Sequence, residues 1–62
     1  MSKPTARLIG ADGNVFNLIG IAARELKEDG QLGEAKEMTT RCLAAQSYDE
    51  ALAIIAEYVE IR

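Results

Sequence analysis

The sequence predicts a small, mostly helical α+β domain. Three short helices lie between an N-terminal and a C-terminal strand that pair, in the order β-α-α-α-β. Three observations predict it. Ten alanines against three aromatic residues favour helix over sheet, because alanine carries the lowest helix cost. Three segments place apolar residues at helical spacing. Two short stretches near the ends carry β-branched or alternating patterns instead.

The elements follow in order. Ser2 to Thr5 is polar and contains Pro4, so residues 1–4 are expected to be flexible. Thr5–Ile9 (Thr-Ala-Arg-Leu-Ile) is short and ends at Gly10, which reads as a strand. Ala6 and Leu8 would share one face, Arg7 and Ile9 the other. Gly10-Ala11-Asp12-Gly13-Asn14 is the strongest turn signal in the chain. After it, Val15, Leu18 and Ala22 form one helical stripe and Phe16, Ile19, Ala23 and Leu26 an adjoining one. Together they predict a helix over 15–29 with a wide buried face. Asp12 or Asn14 would cap it, and Gly30 suits the left-handed position beyond its end.

Gln31 to Gly33 is read as a connector. Glu34–Ala45 predicts a second helix with Ala35, Met38, Cys42 and Ala45 on one stripe. Arg24 with Glu28, and Glu37 with Arg41, have the spacing of helical ion pairs. Ser47-Tyr48-Asp49-Glu50 has the spacing of a capping box and opens a third helix with Ala51, Leu52, Ile54, Ile55 and Tyr58 apolar. Tyr58-Val59-Glu60-Ile61-Arg62 then alternates with period two. It predicts a terminal strand with Val59 and Ile61 on the core face, with continuation of the third helix to the end as the alternative.

Composition limits the function. Sixty-two residues bound a single domain over 1–62. Leu, Ile, Val and Phe make up 15 of them, above the disorder range. A chain this short buries only about 60% of its unfolded surface, which leaves little room for a deep pocket. There is no His, no Trp and a single Cys. The residue types that build most catalytic and metal sites are therefore missing. The expectation is a non-enzymatic protein with no catalytic residues, no metal and no cofactor. A net charge of −3 with scattered Lys and Arg argues against nucleic acid. The longest uncharged run, 13–23, is too short to span a bilayer, and the first residues lack the apolar core of a signal peptide. A cytoplasmic, non-membrane setting follows as the expectation.

The binding candidates are Asp12, Gly13 and Asn14. A turn feeding a helix N-terminus can offer amides to a small anion. No Lys-Ser/Thr follows to complete a phosphate loop, and Asp12 puts negative charge where the anion would sit. Self-capping is the simpler reading. Leu8 and Gly10 stand where a calcium loop needs oxygen ligands, which excludes that site. Cys42, on an apolar stripe, reads as a small buried hydrophobe, with a thiolate activated by Arg41 as the sharper alternative. Gly20, inside a helix, costs about 1 kcal/mol against alanine, which suggests close approach of another backbone, in the fold or from a partner.

Lys3-Pro4, Leu8-Ile9-Gly10, Asp12-Gly13-Asn14, Phe16, the Leu26-Lys27 and Gly30 helix end, Ser47-Tyr48-Asp49-Glu50 and Glu57-Tyr58-Val59-Glu60 give the whole chain a resemblance. It resembles a family of small uncharacterised bacterial proteins associated with phages, plasmids and integrative elements. Where family members carry Gly-Asp-Tyr before the last helix, this chain has Gln46-Ser47-Tyr48. The resemblance implies a mobile-element or accessory setting and assigns no activity and no functional residue. Marginal size, unpaired strand edges and the missing catalytic residue types give the further expectation of a protein-interaction module that pairs with a protein partner, itself included, through strand edges as a homodimer. A small nucleic-acid-associated regulator reading DNA with the second helix, or a small-anion binder at Gly10–Asn14, is the alternative.

Overall fold

The computed structural model describes residues 3–62. The element order is β1 (Thr5–Ala6), α1 (Val15–Glu28), α2 (Leu32–Leu43), α3 (Tyr48–Tyr58) and β2 (Glu60–Ile61). This is the mostly helical β-α-α-α-β arrangement that the apolar spacing predicts. The strands pair in parallel, with Thr5 opposite Glu60 and Ala6 opposite Ile61. Flexibility was expected of residues 1–4. Met1 and Ser2 lie outside the described residues. The Lys3 ammonium donates to the Ala56 carbonyl at 2.8 Å, and the Pro4 carbonyl accepts from the Glu60 amide at 2.8 Å.

Both strands are shorter than the alternation suggested. Pairing nevertheless extends past β1, because the Arg62 carbonyl accepts from the Leu8 amide at 2.6 Å and the Ile9 amide at 2.8 Å. The two faces of β1 and the residues after it divide as expected. Ala6 and Leu8 are buried; Arg7 and Ile9 are exposed. A turn then closes with the Ala11 amide donating to the Leu8 carbonyl at 3.1 Å. Gly10 occupies its third position at φ 89°, which an L side chain adopts only with strain.

Helix α1 ends in a Schellman motif. The Gln31 amide donates to the Leu26 carbonyl at 2.8 Å and the Gly30 amide to the Lys27 carbonyl at 3.1 Å. Gly30 sits at φ 80°, where its missing Cβ permits the left-handed turn. This reversal is so tight that α2 starts at Leu32, inside the stretch read as a connector. Gly33 is a helical residue here rather than punctuation. Helix α2 ends at Leu43, two residues before the expected Ala45.

The core lies between the three helices and beneath β1. Leu18, Ile19, Ala22, Ala23 and Leu26 of α1 meet Ala35, Met38 and Cys42 of α2, and Ile54 and Ile55 of α3, with Val59 beyond. The Cα radius of gyration is 10.3 Å, against about 10.6 Å for a compact chain of this length. One apolar expectation fails. Phe16 is 68% exposed rather than part of the buried stripe. At about 100° per residue it lies roughly 120° around the helix from the fully buried Ala22, beyond the reach of α2 and α3. Among the described residues, no helix is long and apolar enough to cross a membrane.

Candidate functional site

The turn before α1 is built by its own side chains. The Asp12 carboxylate accepts from the Asn14 amide at 3.1 Å. The Asn14 side-chain oxygen caps the helix by accepting from the Phe16 amide at 2.8 Å. The Asn17 side-chain amide donates back to the Asp12 carbonyl at 3.0 Å. Asn14, not Asp12, is therefore the N-cap, and Asp12 supports it from two positions further out. Asp12, Gly13 and Asn14 are all exposed. Two of the amides an anion would use are already bonded to side-chain oxygens, and one of those oxygens carries negative charge.

Gly13 faces another element. A Cβ at this position would lie 3.7 Å from the Tyr48 hydroxyl oxygen, so the start of α1 and the start of α3 converge here. At that junction Val15, Cys42, Ala45, Ser47, Tyr48 and Ala51 line a shallow depression of about 210 Å³. Ser47 caps α3 by accepting from the Glu50 amide at 3.1 Å. That is one half of the capping box; among the described residues no bond from the Glu50 carboxylate returns to the Ser47 amide. Cys42 is buried, and its thiol points at the Ala51 carbonyl with a sulfur-to-oxygen distance of 3.8 Å. Burial pushes the thiol pKa up, and the Arg41 charge only partly opposes this. The sulfur therefore behaves as a small hydrophobe that stays protonated, not as an activated thiolate.

Arg41 is engaged elsewhere. The expected Glu37–Arg41 helical pair does not form. Arg41 instead grips Glu57 of α3 with both guanidinium nitrogens, at 2.8 and 3.1 Å, and donates to the Tyr58 hydroxyl at 3.1 Å. Tyr58 in turn donates to the Glu37 carboxylate. This interhelical network wins because the planar fork meets a carboxylate bidentately only across the groove between α2 and α3. Its hydrogen bonds raise the Arg41 pKa further and lower that of Glu57. Burial, followed by the Glu37 acceptor, raises that of Tyr58. Among the described residues Arg41–Glu57 is the one ion pair, so the expected Arg24–Glu28 pair is also absent.

The second surface feature lies on the outer side of α1. Phe16, Asn17, Gly20, Ile21 and Arg24 line a shallow groove of about 340 Å³. The expectation of a backbone packed on Gly20 within the fold is not met. Nothing lies within 4 Å of a Cβ built there, and the residue is exposed. The groove was signalled in the sequence by that glycine alone, since Phe16 reads as core. The interhelical network had no local signal, because its partners are 16 to 21 positions apart. Among the described residues, no group of three His, Cys, Asp or Glu side chains converges as a metal site. Comparison of the chain with protein-family models, with curated proteins and with solved structures finds no match.

Proposed function

We propose that this chain is a non-enzymatic protein-interaction module of a mobile-element or accessory system, acting in the cytoplasm and pairing with a protein partner, itself included. The setting rests on the resemblance in sequence. The observation that carries the interaction reading is the placement of large apolar side chains in solvent. Ile9 is 80% exposed and Phe16 68%, while Leu32, Leu43 and Tyr48 are also exposed. Single exposed apolar residues are ordinary, but here five stand out on a domain with only a small core. The outer edges of the β1–β2 pair are a further surface, each two residues long.

Sedimentation equilibrium over a wide concentration range tests the reading, combined with affinity capture by the tagged chain from its host. A mass that rises to twice the chain mass supports it. So does a captured protein that the Ile9→Ser/Phe16→Ser variant no longer holds. A chain that stays monomeric and whose captures are unchanged in the variant overturns it.

A further inference from the structure

We infer that the groove between α1 and α2 is a binding site for a small organic phosphate, a phosphomonoester with a short apolar body. The inference goes beyond the interaction-module reading and uses none of the residues that carry it. The groove has a volume of about 420 Å³. Ala23 and Lys27 of α1 line one side; Ala35, Lys36, Thr39 and Thr40 of α2 line the other. The two alanines are buried and form its floor, while both lysines and Thr40 are exposed at its rim. The sequence has ten carboxylates against seven cationic side chains, yet no carboxylate lines this groove.

Charge names the ligand. Neither lysine has an ion-pair partner among the described residues. Nor does either have an Asp or Glu three or four positions away on its own helix. The acids nearest in sequence are engaged or turned elsewhere. Glu37 accepts from Tyr58, and Asp29 accepts from the Gln31 side-chain amide at 2.7 Å. Glu28 lies about 100° and Glu25 about 160° round α1 from Lys27, and Glu34 about 160° round α2 from Lys36. Lys27 sits in the last turn of α1, where a cation suits the helix dipole. Lys36, in the second turn of α2, serves no helix end and has no such use within the fold. The Thr39 hydroxyl is already donated to the Ala35 carbonyl at 2.8 Å, so Thr40 supplies the free hydroxyl. Two ammonium groups from different helices and a hydroxyl offer donors to several oxygens of one anion, which suits a phosphate better than a single carboxylate. The alanine floor gives the carbon body of an ester an apolar surface to cover. The turn before α1 has neither property, since the Asp12 carboxylate already holds one of its amides.

An amide-resolved NMR titration with phenyl phosphate tests this, with inorganic phosphate and phenol as the two halves of the probe. Phenyl phosphate shifts the amides of residues 23, 27, 35, 36, 39 and 40 and approaches saturation by about 10 mM, as a millimolar site requires. Inorganic phosphate shifts the same amides at higher concentration, and phenol binds far more weakly than its phosphate ester. Lys27→Met and Lys36→Met each weaken binding about fivefold, with helical circular dichroism intact because both side chains are exposed. Arg7→Met removes the same charge outside the groove and changes binding less than about twofold. Equal losses in Arg7→Met and Lys36→Met overturn the site, because they reduce it to general attraction. Shifts centred on residues 12–16, phenol binding as tightly as its phosphate, or no shift by about 10 mM overturn it as well. None of these outcomes touches the interaction-module reading, whose own test rests on Ile9 and Phe16.

Discussion

Single residues in this fold act mainly through what they close off. Cys42 sits at the floor of the junction between α1, α2 and α3, with its thiol against the Ala51 carbonyl. Burial raises its pKa above the ordinary value of about 8.5. Between the ordinary and the raised value the unfolded chain has lost the proton and the folded chain still holds it. Stability is therefore fully present below about pH 8.5 and declines as the pH rises above it. Urea midpoints measured from pH 7 upward should fall above that point, and the fall should shrink in Cys42→Ala. An equal fall in both proteins would assign it to another group, Tyr58 being the next in line. Ser47 acts by satisfying a helix end. Replacing it with alanine leaves the Glu50 amide without its side-chain acceptor and should cost about 1 kcal/mol, read from denaturant unfolding.

At the scale of elements, the helices were legible where the signal was local. Val15, Leu18, Ile19 and Leu26 recur at 3.6-residue spacing, and Asn14, Gly30 and Ser47 have side chains or backbones suited to one terminal position. Helix faces were less legible. Phe16 and Leu26 look equivalent in sequence, yet one is exposed and the other buried, because the edge of a buried face is set by where α2 and α3 lie. The candidate turn was readable as a self-capping one, whereas its approach to Tyr48 depends on how α1 and α3 meet. The same limit hid the partner of Arg41. Sequence spacing favoured Glu37, and the packing of α2 on α3 gave it Glu57. That pair is exposed on both sides, so its contribution is screened by solvent and salt. A double-mutant cycle with Arg41→Met and Glu57→Gln should show coupling at low salt that shrinks at high salt. The Glu57 carboxyl is held below the ordinary carboxylate range, so this coupling is present above about pH 4.3 and is lost as the pH falls through the lowered value. Coupling unchanged by acid and salt would mean that packing, not charge, joins the helices here.

For the whole molecule, the parallel strands decide how the chain closes. Thr5 and Glu60 pair across almost the full sequence, and the α1–α2 and α2–α3 reversals are local by comparison. Closing a loop of that length costs roughly 3–4 kcal/mol of chain entropy, a large share of the 3–9 kcal/mol or so expected for a domain this size. Helix packing has to offset that cost first, because the two-residue strands return only a few hydrogen bonds. The strand pair should therefore form after the helices have assembled, and local opening should begin there. Glu60→Pro isolates this step. It removes the amide that donates to the Pro4 carbonyl, while Val59 before it is already extended at φ −135° and ψ 157° and so tolerates a following proline. The expected loss is about 1–3 kcal/mol. It should fall almost wholly on a faster unfolding rate, with the folding rate barely changed, in stopped-flow chevrons. A folding rate that dropped in proportion to the lost stability would instead place the strand pair in the folding nucleus, before the helices dock.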